Sequence, residues 1–281
     1  MALSMHRKER FSAGMRFLVL ALLAIIIFLP LVSMLVTSLK RMDELYKIPA
    51  RVLPESAVWE NYGLAWTMVN FGKYLVNSIV LTLLYGIPAV MSSCFAGYAF
   101  SRFQVRESRA LFLLVLSTLM IPAMVTIMPF YMTMAKVGFV NQRILWLFWG
   151  ISGIPFIIFL FRQFFSTIPA SFEESARMDG AGRFRIFFTI MFPLVQTGVI
   201  VASIFAFQWA WSEFLMPVLF LSDEKSTLAV KIALGYSDVK ETVLYNIGMA
   251  GILYYTLPLV IVFFALQKRF VAGLLAGGLK G

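Results

Sequence analysis

Long apolar runs separated by short polar segments make up most of this chain. Six of the runs reach about 18 residues or more, close to the roughly 20 residues that a helix needs to cross a bilayer. We therefore predict an all-α integral membrane protein, with residues 1–281 forming one transmembrane domain. The predicted spans are 17–39, 74–100, 110–135, 144–161, 186–212 and 243–267.

The first apolar run follows a basic head, residues 1–16, and this arrangement also occurs in secretory signal peptides. The run is as long as a membrane span, and no small-residue cleavage pattern follows it. We therefore expect an uncleaved first span with residues 1–16 as a cytoplasmic tail.

Composition supports the membrane assignment. Hydrophobic residues make up 60% of the chain and charged residues 14%, whereas soluble domains have about 25% charged residues. The net charge of +10 could indicate a nucleic-acid partner. The basic residues instead occupy short loops beside apolar runs, as membrane topology requires, so we expect a lipid bilayer as partner and no nucleic acid. With the N-terminus inside, 14 Lys and Arg lie on the cytoplasmic side and 10 outside.

A charged segment, residues 168–193, interrupts the apolar pattern between the fourth and fifth spans. Ser171 and Glu174 have the spacing of a capping box, which predicts that a helix starts there. Glu173 and Arg177 have the favourable i,i+4 order, and Gly180 occupies the position at which glycine ends helices. The pattern predicts a short polar helix that a partner outside the membrane can hold.

Glu174-Ser175-Ala176, then Gly180, Ile190 and Pro193, resemble the EAA loop, E-A-A-x3-G-x9-I-x-L-P, of ABC importer permeases. Ser175 replaces an alanine of that pattern, and Phe192 replaces the leucine. The resemblance implies the ABC permease fold (methionine-transporter-like), with a cytoplasmic coupling helix that contacts the ATPase. The coupling residues that it implies are Glu173, Glu174, Ser175, Ala176, Arg177, Asp179 and Gly180.

Further blocks extend the resemblance to carbohydrate importers, in particular to the maltose-type second channel subunit. They are Asn61-Tyr62, Tyr74-Leu-Val-Asn77-Ser78, Ala99-Phe-Ser-Arg102-Phe103, Ile121-Pro122 with Pro129-Phe130-Tyr131, Val137-Gly138 with Asn141, Trp211-Ser212-Glu213-Phe214 with Pro217, Ser226-Thr227-Leu228 and the ending from Gly273 to Gly281. From the ending we expect residues 268–281 to be a cytoplasmic tail. Within it, Gly277, Gly278 and Lys280 are expected to be extended and to contact the ATPases.

The resemblance also implies the partners: a second permease subunit, an ABC ATPase dimer and an extracytoplasmic solute-binding protein. The expected location is the bacterial inner membrane with both termini cytoplasmic, and the expected mechanism is alternating access. ATP and Mg would be bound by the partner ATPase and no cofactor by this chain, which agrees with the absence of a G-x-x-x-x-G-K-[ST] phosphate loop from its sequence.

Three alternatives stay open at this point. A secondary transporter would place ionisable residues inside the bilayer, and Glu213 is the nearest candidate, either for a substrate path or outer gate or as a carboxylate merely solvated at the interface. A membrane enzyme would need a nucleophile with a base or a metal cluster, and neither His6 nor Cys94 has such neighbours in the sequence. Within the importer reading, the solute could be a sugar, an acidic sugar or a phosphorylated polyol.

Overall fold

The computed structural model describes residues 2–49, 51–103, 105–237 and 241–278, and it describes side chains only between residues 13 and 267. This part of the chain is helical, with a single isolated β-bridge between Ser237 and Val243. The helices are α1 Ala2–Ser38, α2 Glu60–Met68, α3 Phe71–Arg102, α4 Ser108–Ser117, α5 Ala123–Lys136, α6 Ile144–Ile151, α7 Pro155–Ser166, α8 Ser171–Met178, α9 Arg183–Ile186, α10 Phe192–Leu194, α11 Gln196–Ser212, α12 Leu215–Phe220, α13 Leu228–Leu234 and α14 Tyr245–Gly278.

Three helices are long and apolar enough to cross a membrane without a break: Ala13–Ser38, Phe71–Arg102 and Tyr245–Gln267. Three further crossings are helix pairs bent at a short break. The bends are 99° between Ser108–Met120 and Ala123–Lys136, 45° between Ile144–Ile151 and Pro155–Ser166, and 79° between Arg183–Leu194 and Gln196–Ser212. Counting each pair as one span gives the six predicted crossings.

The chain forms two compact units, one of residues 1–70 with 232–255 and one of residues 71–231 with 256–281. The first unit holds the end of α1 through a buried amide. Asn61 donates from Nδ2 to the carbonyl oxygens of Ser38 (2.8 Å) and Lys40 (2.9 Å), and Asn246 donates to the same oxygen of Lys40 (3.2 Å). These bonds satisfy carbonyls that the end of a helix leaves without intrahelical partners.

The second unit is built around α3, which packs against α6, α7 and α11. Small residues bring these helices close, as is usual for helices packed in membranes. Gly97 of α3 lies against α7, where a Cβ would come within 2.5 Å of the Cβ of Phe161. Gly150 of α6 lies against α3 so closely that a Cβ would overlap the backbone carbonyl of Tyr85.

This close approach makes Gly150→Ala a test of the helix packing. The overlap is with backbone, which has no rotamer to change, so α6 must move away from α3. We expect a loss of about 1–3 kcal/mol in the free energy of unfolding, the usual cost of overpacking, measured as a lower Tm of the detergent-solubilised protein. Gly86→Ala in α3 is the control, because a Cβ there meets no atom within 4 Å. Equal melting temperatures for the two variants would contradict the packing described here.

The structure differs from the sequence prediction at the C-terminal end. We expected Gly277 and Gly278 to be extended, but α14 continues as a helix to Gly278. Each glycine disfavours a helix by only about 1 kcal/mol relative to alanine, and elongating an existing helix needs no new nucleus. The predicted contact residue Lys280 lies outside the described residues.

Candidate functional site

The site begins with α8, the short polar helix predicted between the fourth and fifth spans, and with the turn at Gly180 that follows it. Gly180 has a φ of +79°, a left-handed conformation that glycine adopts without the steric cost that other residues incur. The N–H of Ala181 donates to the carbonyl of Ala176 (2.9 Å), and the N–H of Gly180 donates to that of Arg177 (3.0 Å). These two bonds define a Schellman motif, so the predicted glycine exit of the helix is confirmed.

The predicted start of α8 is wrong by one residue. Ala170 is the N-cap and has no side-chain oxygen, so Ser171 is already helical and no capping box forms. The chain turns earlier, because the N–H of Phe172 bonds to the carbonyl of Pro169 (3.4 Å) and the N–H of Glu173 bonds to that of Ala170 (2.9 Å). The first turn of α8 is therefore formed by backbone bonds that begin before Ser171, so the serine hydroxyl does not cap the helix.

A buried carboxylate ties α8 to the end of α3. Glu173 is 3% exposed, and its Oε1 lies 2.7 Å from Nε of Arg102, an ion pair without hydrogen-bond alignment. The hydroxyl of Tyr98 donates to Oε2 of Glu173 (3.2 Å), and Nη2 of Arg177 lies 3.4 Å from the same oxygen. Arg102 also donates from Nη2 to the carbonyl of Ile168 (2.7 Å). We call Tyr98, Arg102 and Glu173 the anchor cluster.

The anchor cluster divides α8 into an inner and an outer face. Glu173 and Ala176 are buried against the chain's own helices. The exposed positions of α8 and its exit include Phe172, Glu174, Ser175, Arg177, Met178, Asp179 and Gly180. Of the seven predicted coupling residues, five are therefore open to a partner. The roles predicted for all seven stay predictions.

Removing Glu173 from water is costly, and only well-placed partners offset the cost. Arg102 supplies the opposite charge from α3, and Arg177 supplies another from the next turn of α8, with its own side chain 58% exposed. The i,i+4 pair of Glu173 and Arg177 is thus formed as predicted, but the shorter contact is the one to Arg102. The arrangement fixes α8 to the C-terminal end of α3.

Sequence reasoning did not identify Tyr98 or Arg102 as anchors of α8. Arg102 lies in one of the blocks noted for their resemblance to carbohydrate importers, and that resemblance gave it no role. Both residues lie on the last turns of α3, four positions apart and therefore on one face of the helix. This spacing was the signal available in the sequence, although it does not indicate the partner Glu173, 71 residues further along the chain.

A second polar cluster joins α3 to the segment that follows α12. Asn77 donates from Nδ2 to the carbonyls of Glu224 and Ser226 (both 3.0 Å) and accepts a bond from Nη2 of Arg143 (2.6 Å). The backbone N–H of Leu228 donates to the hydroxyl of Ser78 (2.8 Å). Two blocks noted separately in the sequence, around Asn77 and Ser226, therefore meet in the structure.

In the same cluster, Asp223 bonds to Lys231 and to the hydroxyl of Tyr74. The bond from the Lys231 ammonium, followed by the bond from Tyr74, holds the pKa of Asp223 below its usual value. A lowered native pKa means that this carboxylate stabilises the fold above its unfolded pKa. The stabilisation is lost as the pH falls through the lowered native value.

Glu213 lies where α11 ends and α12 begins. Its Oε1 accepts bonds from the backbone N–H groups of Leu215 and Met216 (both 3.0 Å). A carboxylate at this position satisfies N–H groups that the first turn of a helix leaves free. Glu213 is therefore half-buried and hydrogen-bonded, and its predicted role in a substrate path or outer gate stays a prediction.

Comparison with known families gives one match over most of the chain. Residues 89–275 match the family described as binding-protein-dependent transport system inner membrane component.

Two relatives align with nearly the whole of this chain, at 31% and 30% sequence identity. The chain is 31% identical over 267 residues to the melibiose/raffinose/stachyose import permease protein MelC of Bacillus subtilis, covering 94% of this chain and 95% of that protein. It is 30% identical to the maltodextrin transport system permease protein MalD of Streptococcus pneumoniae, covering 99% of each.

Among solved structures, the chain resembles a crystal structure of a bacterial ABC transporter involved in the import of the acidic polysaccharide alginate. The TM-score is 0.80 with 22% sequence identity, covering 94% of this chain and 98% of that one. At this identity the likeness establishes the fold, which is the predicted ABC importer permease fold.

Proposed function

Because this chain belongs to the family of binding-protein-dependent transport system inner membrane components, we propose that it is the channel-forming subunit of an ATP-driven sugar importer. It is a transport permease, not an enzyme, and a multi-pass protein of the inner membrane. The relatives named above import oligosaccharides, which supports a sugar as the solute. The proposed partners are a second permease, an ATPase dimer that binds ATP and Mg, and a solute-binding protein.

The observation that carries the proposal is the anchored polar helix α8. Its outer face offers Glu174, Ser175 and Asp179 to a soluble partner, while its inner face is fixed through Glu173 to the end of α3. A helix held in this way transmits displacement instead of absorbing it. Closure of two ATPases around ATP would pull α8, and α3 would follow.

Alternating access then needs two discrete packings of the helices, between which ATP binding shifts the population. The bent spans supply candidate moving parts, because the helices on the two sides of each break can reorient separately. A π-helical turn at Phe187–Met191 and the break at Val195 lie just after the α8 segment, in the fifth span. Such turns occur often at functional sites in helices.

The function is tested by deleting this chain's gene in its native cells. Uptake of radiolabelled raffinose, maltotriose, lactose and trigalacturonate is then measured with and without the restored gene. We expect uptake of at least one neutral sugar to depend on the gene and to stop when ATP is depleted. Uptake of trigalacturonate alone would favour the acidic-sugar alternative, and uptake driven by an ion gradient without ATP would favour a secondary transporter.

The proposed orientation, with both termini cytoplasmic, predicts a labelling pattern in intact cells. In a Cys94→Ser background, Ser171→Cys should be shielded from an impermeant thiol reagent, whereas Ser56→Cys and Ser222→Cys should react. All three positions are exposed, so access to the reagent depends on the side of the membrane. Ser226, four residues after Ser222, is 4% exposed and therefore unsuitable for labelling. Labelling of Ser171→Cys in intact cells would contradict the proposed orientation.

A further inference from the structure

The second unit contains a cavity of about 630 Å³ that the sequence did not indicate. It is lined by aromatic and apolar side chains from the second to fifth spans, with few polar groups. The side chains that carry chemistry are those of Tyr85, Thr126, Trp149, Trp209 and Glu213. Mostly apolar cavities of this size with a few placed polar groups are typical of small-molecule sites.

Three interruptions of helical backbone border this cavity. One is at Ala123, directly after the bend of the third span; one runs from Gly153 to Pro155, in the bend of the fourth; and one is at Glu213 and Phe214, where α11 ends. Non-helical backbone at membrane depth is tolerated only where protein buries it or where it lines a water-filled space. Three breaks around one space therefore favour a hydrated cavity that admits a polar solute.

The cavity lies at bilayer depth. Tyr85 follows Phe71, the start of α3, by 14 residues, or about 21 Å at 1.5 Å per residue, so it lies near the middle of the second span. The contact of Gly150 with the Tyr85 carbonyl fixes α6 against α3 at this level. As a result the Tyr85 and Trp149 rings are held 4.7 Å apart, centre to centre, at 50°.

The charged groups that line the cavity indicate whether a neutral or an anionic solute is favoured. Glu213 contributes a carboxylate, and no Lys, Arg or His is among the residues that line the cavity. Glu213 uses Oε1 for the backbone of α12, and Oε2 has no hydrogen-bond partner among the described residues. A free carboxylate oxygen accepts bonds from hydroxyl groups and repels another anion, more strongly in a medium of low dielectric constant.

We propose that this cavity is a binding subsite for an uncharged sugar on its way through the channel, a proposal that rests on the proposed function above. The half-buried ring of Trp149, held in place by the buried Tyr85 ring beside it, would pack against the apolar face of a sugar ring. The free oxygen of Glu213 would accept hydroxyl hydrogen bonds. The same carboxylate disfavours acidic sugars and phosphorylated polyols, the two alternatives that the sequence left open.

The test is protection of a cysteine in the detergent-purified importer, assembled with its partners, where both membrane faces are accessible. In a Cys94→Ser background, Thr126→Cys places a thiol on the cavity wall. The matched control is Met128→Cys, an exposed position on the same helix outside the lining. We expect the neutral panel sugar that the wild-type importer carries to slow labelling of Thr126→Cys by N-ethylmaleimide about tenfold or more. It should not slow labelling of Met128→Cys, and equimolar trigalacturonate should protect neither.

Substitution of the lining gives a second readout. Trp149→Ala should reduce uptake about tenfold or more, whereas Phe148→Ala, its exposed neighbour on α6 outside the cavity, should change uptake less than about twofold. Glu213→Gln keeps an oxygen for the α12 backbone and loses the charge, so uptake of the neutral sugar should fall and discrimination against trigalacturonate should weaken. In all three variants the ATPase should still co-purify.

The possible results distinguish failure of the cavity proposal from failure of the proposed function. Sugar uptake without protection of Thr126→Cys would overturn the cavity proposal and leave the proposed function intact. Shielding of Thr126→Cys in the assembled importer without sugar would mean that a helix of the partner subunit or a lipid chain fills the space. Equal effects of Trp149→Ala and Phe148→Ala on sugar uptake would also overturn the cavity proposal. Failure of the wild-type importer to carry any panel sugar would overturn the proposed function, and this proposal with it.

Discussion

Gly180→Val should abolish solute uptake while leaving the chain inserted in the membrane. The exit of α8 needs the φ of +79° found at Gly180. Non-glycine residues lose about 1–2 kcal/mol in this left-handed region, and β-branched residues are the least suited to it. The Schellman bonds of Gly180 and Ala181 would break, so the last turn of α8 would unwind and its outer face would lose its shape. We expect at least a tenfold loss of uptake and weaker co-purification of the ATPase.

The structure offers a matched control two residues away. Gly182 is equally exposed, and a Cβ there also meets no atom within 4 Å, but its φ is −73° with a ψ of 161°. Valine adopts this extended conformation readily. Gly182→Val should therefore retain uptake and ATPase binding near the wild-type level. If the two variants behave alike, the conformation of Gly180 is not what the ATPase contact requires, and α8 is an ordinary loop element.

The six apolar segments could be predicted from the sequence because each one is a long apolar run bounded by charge. The sequence did not predict which spans bend. Pro30, Pro88 and Pro258 lie inside the unbroken helices α1, α3 and α14, whereas Pro122 and Pro155 lie at breaks. A proline inside a helix removes one backbone bond, whereas a proline at the start of a helix removes none, because that N–H has no intrahelical partner. Whether the helix continues depends on neighbouring groups in the tertiary structure, and these cannot be read from the local sequence.

The break between α6 and α7 shows such neighbouring groups. Gly153 has a φ of +75°, and the N–H of Ile154 donates to the hydroxyl of Ser93 on α3 (2.9 Å). Ser92 donates to the carbonyl of Gly150, 58 residues away (3.3 Å). The chain can leave helical geometry here because two serines of another span take up the freed backbone groups. Nothing in the sequence near Gly153 pairs it with Ser92 or Ser93.

In the candidate site, too, local features could be predicted from the sequence and features that depend on helix packing could not. The exit at Gly180 and the pair of Glu173 and Arg177 are local, so residue spacing predicted them. The anchor cluster joins residues 71 positions apart, and the cavity near Glu213 collects side chains from four spans. Both depend on how the helices pack, and one sequence without that packing identifies only individual members, such as Glu173 and Glu213.

Arg102→Met should uncouple ATP hydrolysis from uptake, because it detaches α8 from α3 without changing the outer face of α8. It leaves Glu173 buried, with the Tyr98 hydroxyl and the largely exposed Arg177 as its partners. Removing one member of a buried ion pair costs about 3–5 kcal/mol. We expect a lower Tm, retained ATPase co-purification, continued ATP hydrolysis and a loss of uptake of at least tenfold.

Two further variants distinguish a broken anchor from a merely weakened protein. Arg106→Met removes an exposed arginine from the segment between α3 and α4 and should change the free energy of unfolding by less than about 0.5 kcal/mol. Arg102→Met combined with Glu173→Met replaces the pair with apolar side chains, which is often neutral or stabilising when both charges leave together. The double variant should therefore melt at a higher temperature than Arg102→Met alone. If it melts lower, or if Arg102→Met keeps wild-type uptake, α8 is held to the second span by contacts other than this pair.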